Sequence, residues 1–514
     1  MNIANMMKIL REKERRVEEQ NELFETCDCL VSFSLNIPGP VKISGLFTLL
    51  FEEGEKTLVK QLSEEAERTG SFFLLPPVSQ RTLAGDLFLL PVKGAESGTD
   101  PHTLALSIKK VTAGIENKDP AGRLFDMDVL FRDVLESVDC PVKVSRTELG
   151  LSSRKCLICG EAVFSCLRAA RHRVPEVMMK AVDIILSSPA VQKKLFETTE
   201  DFLSLLPEDF RPLNSCPLSA GARKIAEETA LSALLSLFYE VIVTPKPGLV
   251  DTENSGSHRD MDITTFFDSA VAIAPYLLAV TEAGILLTEE NPEDVLEIIR
   301  PLGLLAEKKM YEATGGVNTH KGAIFTMGVV LCACGMLIGR EKISAEEIAC
   351  ANISPEEILE LTGQICRSMP NGSRGVRTEA MNGYPSVKKS FADFREFLGK
   401  AEASAANRGT ASGTSGSGKM SGELLNEALV HTLLSLISVV DDENIGRRCM
   451  CDGKVWARER AAYVMAQGLT GEPFLHMVSD LDREFILRNA SPGGSADLLA
   501  VTCFLYFRKS HGFA

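Results

Sequence analysis

Hydrophobic positions change their rhythm once along this chain of 514 residues. Up to about residue 200 the apolar stretches are short and bounded by Pro, Gly or Asp. Residues 29–37 (CLVSFSLNI) alternate apolar with polar and stop at Pro38-Gly39-Pro40; with 72–75 and 87–92 they predict strands. The charged stretch 1–20 and residues 103–115 have helical spacing, and 122–131 (GRLFDMDVLF) is apolar with acids at alternate positions. From residue 224 onward the period is helical: 224–243, 263–280, 323–339, 424–440 and 498–507 each predict a buried helix. Residues 201–221, punctuated by prolines and without periodicity, separate the two regimes, and the small polar run 403–422 predicts a flexible insert within the second. The pattern predicts a multidomain protein: an α+β domain over 1–200, a linker over 201–221 and an all-α helical domain over 222–514.

Charge and composition narrow the function. A formal net charge of −15 argues against a nucleic-acid partner, because a phosphate-reading surface needs a basic excess. Fourteen cysteines at irregular spacing, with no basic and apolar leader in the first twenty residues, predict a reducing cytoplasm rather than a disulfide framework. The longest uncharged apolar run, 323–339, falls short of a comfortable bilayer span and reads as a buried helix, so no membrane partner is expected.

Candidate chemistry clusters in a few places. Asp126 and Asp128 are two apart, so on an extended strand both carboxylates share one face, where they either hold a divalent cation or are solvated; Arg123 is close by. Cys156, Cys159, Cys166 and His172 have a spacing that suits either a tetrahedral zinc site or a reduced, buried cysteine group. The basic run Arg168, Arg171, His172, Arg173 could meet phosphates, an acidic partner protein, or only water. In the helical region a rigid loop (VTPKPGLVDTENSGSHRDMD, 243–262) carries Lys246, His258, Asp260 and Asp262. Asp262 predicts an N-cap, with Asp268 about two turns further in and facing inward, where a carboxylate needs a partner. Asn318, His320 and Lys321 lie where a glycine-containing loop enters the 323–339 helix, whose free N–H groups would face a phosphate. Asp441 and Asp442 follow a predicted helix C-terminus, where they oppose the dipole and call for a compensating cation. Gly493, Gly494 and Ser495 open the last helix as an anion cradle.

These stretches resemble two enzyme families. KPGLVD at 246–251 with HRDMD at 258–262, GVNTHKGAIF at 316–325, GVRTEA at 375–380 with GYPS at 383–386, and SPGGSADLLAV at 491–501 resemble the triphosphoribosyl-dephospho-coenzyme A synthases, which make the prosthetic-group precursor of citrate lyase. Thr378 stands where that family has glycine, and Arg447, Arg448 and Cys449 where it has an Arg-Gly-Gly stretch. LNIPGP at 35–40, GRLFDMDV at 122–129 and CLICGEAVFSCLRAARH at 156–172 are similar to the holo-acyl-carrier-protein synthases of citrate lyase. The first resemblance implies that ATP and 3'-dephospho-coenzyme A react with release of adenine. It further implies that Lys246, His320, Lys321 and Arg377 neutralise the triphosphate, and that Asp260, Asp262, Asp268, Glu379, Asp441 and Asp442 supply the catalytic carboxylates. Asp262, Asp441 and Asp442 would hold Mg2+ or Mn2+. The second implies a nucleotidyltransferase-like domain that moves phosphoribosyl-dephospho-coenzyme A onto a serine of the apo acyl carrier subunit, with magnesium on Asp126 and Asp128 and Arg123 facing the phosphates. A hydrolase of ribosyl bonds could use the same acids with water as nucleophile, and a non-catalytic nucleotide-binding scaffold for the carrier subunit is the alternative of another class.

Overall fold

The computed structural model describes residues 3–82, 84–96, 98–118, 120–132, 141–210, 218–340, 353–370, 372–407, 422–449 and 452–510. They form two compact units, Met1–Gln192 and Lys193–Ala514. The predicted linker begins within a helix, Thr199–Leu203, and contains a 3-10 turn, Glu208–Phe210; Phe202 packs on Tyr276 at 6.1 Å, so this segment already belongs to the second core. Residues 211–217 of that linker, and 408–421 of the predicted insert, lie outside the described residues.

The first unit is built on one antiparallel sheet of β1 (Cys29–Leu35), β2 (Phe72–Leu74), β3 (Val78–Thr82), β4 (Gly85–Gly94), β5 (Phe125–Phe131) and β6 (Val142–Lys143), in the order β2-β4-β1-β5-β6 with β3 also on β4. Period-two burial fixes the faces. In β5, Phe125, Met127, Val129 and Phe131 are buried, so Asp126 and Asp128 share the opposite face. Their register is set by β1, where Ser34 lies opposite Asp126 and Ser32 opposite Asp128. The helix Gly45–Thr69 covers the buried face with Leu46, Leu50, Leu58 and Leu62 at four-residue spacing; Ser44 caps its start and Gly70, at φ 63°, its end. Gly54 is required here, because a Cβ would lie 2.4 Å from the Phe33 ring. That ring stacks on Phe51 at 4.8 Å and meets Phe125 edge-on at 5.3 Å, and truncating it to alanine would cost about 3–5 kcal/mol.

The second unit is helical. Its core is Ala220–Ile242, Ile263–Leu286, Lys321–Arg340 and Gly493–Ser510, largely buried along their lengths. Gly284 and Gly335 let Ile263–Leu286 and Lys321–Arg340 run backbone against backbone: a Cβ on Gly284 would stand 2.2 Å from the Cys332 carbonyl oxygen, and one on Gly335 2.1 Å from that of Thr281. These two helices are long and apolar enough to cross a membrane, yet 78% of each apolar window is buried inside the unit, which accounts for their composition without a bilayer.

Candidate functional sites

The Ala220–Ile242 helix delivers the chain into the 243–262 loop, which its own Asp251 and Asp482 of the helix Glu472–Leu487 hold in place. Asp251 accepts from the backbone N–H of Lys246 (3.0 Å), Glu253 (2.8 Å) and Asn254 (3.0 Å). Asp482 accepts from the Gly248 N–H at 2.8 Å and Asn254 Nδ2 at 3.0 Å. Gly248 sits at φ 70°, and a Cβ there would come within 2.1 Å of the Ala490 carbonyl oxygen. Burial pushes Asp251 up to about 7 despite its three N–H donors.

This loop borders a cleft of about 870 Å³ whose other walls are the chain segments at 318–323, 372–377, 440–448 and 491–500. The structure thus brings together Lys246, His258, Asp260, Asn318, His320, Lys321, Arg377, Asp442, Gly493 and Gly494. Asp262, Asp268, Glu379, Asp441 and Ser495 do not line it. Asp262 closes a capping box with Thr265 at the start of Ile263–Leu286, and Asp268 is half-buried further along that helix rather than turned fully inward. Glu379 accepts from Ser386 N–H at 3.1 Å and Ser386 Oγ at 2.8 Å, bracing the next helix.

Several expected roles change. Lys246 is 1% exposed and its Nζ donates to the Glu240 carboxylate at 2.5 Å and the Glu240 carbonyl at 2.6 Å, so its charge is already met. His320 is buried, and desolvation followed by the nearby Lys246 lowers it to about 3; it is neutral, and offers a hydrogen bond rather than a charge. Its Nδ1 pairs with Ser269 Oγ at 2.7 Å, while Nε2 is buried without a hydrogen-bond partner. Lys321 pairs with Glu307 at 2.8 Å. Asp442 needs no cation to offset a helix C-terminus, because it is the N-cap of the next helix, Glu443–Arg448, and accepts from Asn444 and Ile445 N–H. It also accepts from Ser495 N–H (2.8 Å) and Oγ (3.1 Å), so the anion cradled by the Gly493–Gly494–Ser495 turn is the protein's own carboxylate. Asp441 is paired with Lys454 and Arg458, each at 3.1 Å.

To the expected cleft residues, Arg377 among them, the structure adds Arg374, Arg447, Arg448 and Asp497. Arg374, Arg377 and Arg447 line the cleft, and none has a carboxylate within ion-pair distance among the described residues; Arg377 lies over the Phe325 ring at 5.9 Å. Arg448 reaches His258 Nδ1 (3.3 Å) and Asn489 Oδ1 (3.0 Å); burial, and then this arginine, keep His258 below its ordinary pKa. Asp497 is at the floor of the cleft, where desolvation and then Glu240 and Asp442 hold its carboxyl well above the usual range, against one donated N–H from Ala323. Gly322 packs directly on it: a Cβ would fall 1.9 Å from Asp497 Oδ2. The available signal was an acid followed by the largely apolar run 498–507, which burial must leave either paired or neutral.

In the first unit the helix Pro101–Lys118 grips β5 between its two acids, with Lys109 Nζ on the Met127 carbonyl (2.7 Å) and Glu116 accepting the Met127 N–H (3.1 Å). Lys143 stands 2.6 Å from Asp128 and Arg154 3.5 Å from Asp126. Desolvation and then Asp128 raise the pKa of Asp126. Two hard oxygen donors that already draw cations fit a divalent ion. Arg123, expected on phosphate, donates instead to the carbonyls of Lys155 (3.1 Å) and Cys156 (3.3 Å). It lines a cleft of about 700 Å³ with Asn36, Arg146 and Arg154. Cys156, Cys159, Cys166 and His172 come together, their ligand atoms all within 4.8 Å of one another.

Paired acids on a strand in one unit, and in the other a cleft bordered by unpaired guanidinium groups, make this a two-part enzyme for phosphorylated substrates. Comparison with known proteins identifies both parts. Residues 4–188 match the family of apo-citrate lyase phosphoribosyl-dephospho-CoA transferase (CitX), and residues 226–411 and 416–512 that of ATP:dephospho-CoA triphosphoribosyl transferase (CitG). Protein CitXG of Leuconostoc mesenteroides subsp. cremoris is 26% identical over 98% of this chain and 96% of its own, and Protein CitXG of Haemophilus influenzae 27% identical over 96% and 94%. The 2-(5''-triphosphoribosyl)-3'-dephosphocoenzyme-A synthase of Escherichia fergusonii is 34% identical over 58% of this chain and 97% of its own. The chain belongs to the ATP:dephospho-CoA triphosphoribosyl transferase family, fused to an N-terminal apo-citrate lyase phosphoribosyl-dephospho-CoA transferase. It is a bifunctional transferase for synthesis and attachment of the citrate lyase prosthetic group.

Proposed function

We propose that the cleft of the helical unit is where ATP meets 3'-dephospho-coenzyme A, with the triphosphate held by Arg374, Arg377 and Arg447. The observation carrying this reading is that these three guanidinium groups border one cleft with no carboxylate partner among the described residues. Planar forks of this kind suit phosphate oxygens better than the already paired Lys246 and Lys321. Asp260, 4.0 Å from His258, is the cleft's carboxylate best placed to hold magnesium together with phosphate oxygens, whereas Glu443 is already paired with Lys454. Bound magnesium would screen the triphosphate charge.

The coenzyme's ribose hydroxyl attacks C1' of the ATP ribose, the glycosidic bond to adenine breaks, and charge develops on the sugar. Two protons must move: one leaves the hydroxyl, one reaches adenine. Asp497, whose buried surroundings favour the protonated carboxyl, is the group we assign to donate to adenine, and another carboxylate of the cleft, Asp260 or Glu443, takes the hydroxyl proton. His320 contributes a neutral, unpartnered Nε2 to orient a sugar or phosphate oxygen.

The α+β unit is read as nucleotidyltransferase-like, with Asp126 and Asp128 holding magnesium and Arg154, which lies 3.5 Å from Asp126 and also pairs with Glu116 at 2.6 Å, meeting the phosphates while a carrier serine displaces pyrophosphate. We place the protein in a reducing cytoplasm, which suits the free thiols of its ten described cysteines. The test is adenine release from ATP. The synthase reading predicts release only when dephospho-coenzyme A is also present; release from ATP alone would make the unit a ribosyl hydrolase, and binding without release a scaffold.

A further inference from the structure

We infer that Cys156, Cys159, Cys166 and His172 bind one zinc ion, which fixes the segment lining the cleft of the α+β unit. Three sulfurs and one imidazole nitrogen within 4.8 Å of one another are a closed tetrahedral donor set of the kind zinc takes in structural sites. The local backbone is shaped for it. Lys155 bridges to Ala162, Cys156 N–H donates to the Glu161 carbonyl at 2.6 Å, and Ile158 N–H points at Cys156 Sγ from 3.4 Å. Gly160, at φ 74°, permits the tight return that brings Cys159 back beside Cys156. Cys166 comes from the short helix Val163–Arg168.

The histidine gives the second, independent indication. His172 Nδ1 pairs with Glu176 Oε2 at 3.1 Å, while its Nε2 is buried with no hydrogen-bond partner. That is the arrangement in which a carboxylate orients a metal-binding imidazole and sets its tautomer. Cys159 Sγ and Cys166 Sγ are 3.3 Å apart, too far for a disulfide and close for two thiols with nothing between them. On binding, the thiols release their protons to solvent and four bonds to the metal form, with no change of oxidation state.

The consequence reaches the neighbouring cleft through Arg123, which bonds the carbonyls of Lys155 and Cys156, and through Arg154 and Lys155, which line the cleft themselves. Full-length protein purified under reducing conditions from zinc-supplemented medium should contain about one equivalent of zinc by elemental analysis. Cys159→Ser, which changes an exposed side chain outside the core, should lose it. Glu176→Gln should weaken zinc affinity about 10–100-fold, marking Glu176 as a positioning residue. The wild-type apoprotein titrated with Co2+ should show the visible bands of a tetrahedral cobalt thiolate. Protein without zinc whose cobalt spectrum lacks those bands, zinc retained by Cys159→Ser, or an intact-mass loss showing a Cys159–Cys166 disulfide would overturn the assignment.

Discussion

Glu240→Ala tests whether the buried Lys246 charge is met inside the protein. Lys246 is 1% exposed and lies 2.5 Å from Glu240, so at an effective dielectric of about 20 the gross attraction is about 7 kcal/mol. Most of that is offset by the desolvation of both ions, but removing one partner leaves the other buried and uncompensated, at a cost of about 3–5 kcal/mol. The measurement is urea unfolding followed by tryptophan fluorescence. The single Trp, Trp456, packs on Phe485 at 4.9 Å in the helical unit, so its signal reports that unit alone. Glu240→Ala should lower the midpoint by about 1–2 M. The double variant Glu240→Ala/Lys246→Met should recover most of the loss, since it removes the stranded charge as well. A Glu240→Ala midpoint within about 0.2 M of wild type would refute the reasoning, because it would mean that Lys246 reaches water or another anion.

Asp497→Asn should lower the rate of adenine release by about 10²–10⁴-fold and remove the limb of its pH profile that reports a protonated acid; an unchanged profile would take Asp497 out of the proton transfer. Arg377→Ala and Arg447→Ala should each raise KM for ATP about 10–100-fold, read from initial rates of adenine release, whereas loss of a merely structural contact would leave KM where it is. Glu282 is held at about 7 by burial, with Arg223 only 3.7 Å away to counter it. The folded state therefore keeps a proton that the unfolded chain has released, so stability falls as pH rises from about 5 to about 7. Glu282→Gln should flatten that fall and stabilise the helical unit by about 1–3 kcal/mol at pH 8, measured by urea midpoints at pH 5 and pH 8.

Much of the architecture was readable from periodicity. The alternation at 29–37 is β1 (Cys29–Leu35), and the apolar run at 323–339 is the buried helix Lys321–Arg340. The helix Gly45–Thr69 was passed over although its buried residues recur every four positions from Leu46 to Leu62, because abundant charges dilute the apolar stripe. β3 (Val78–Thr82), VSQRT, has almost no apolar signal and is a strand only because β4 pairs with it. The cleft-forming loops were recognisable as loops at helix ends, but which charges remain available in them was not. Asp442 looks like a lone acid after a helix until Ser495, 53 residues away, donates to it. His320 looks like a cation until burial removes its proton, and Lys246 until Glu240 folds back on it from the preceding helix. Such assignments depend on distances between residues far apart in sequence, which local pattern does not carry. The four-residue zinc set stood out because its members lie within 17 residues, so spacing alone brought it close to its final geometry.

The central claim is that two separate sites act in succession, and one incubation measures both. The protein is mixed with ATP, magnesium, dephospho-coenzyme A and the apo acyl carrier subunit of citrate lyase, and adenine release is followed together with the intact mass of the carrier. Wild type should release adenine and add phosphoribosyl-dephospho-coenzyme A to the carrier, whereas Asp126→Asn/Asp128→Asn should release adenine at the wild-type rate and leave the carrier mass unchanged. A carrier modified normally by that double variant, or adenine release abolished together with the transfer, would contradict the account.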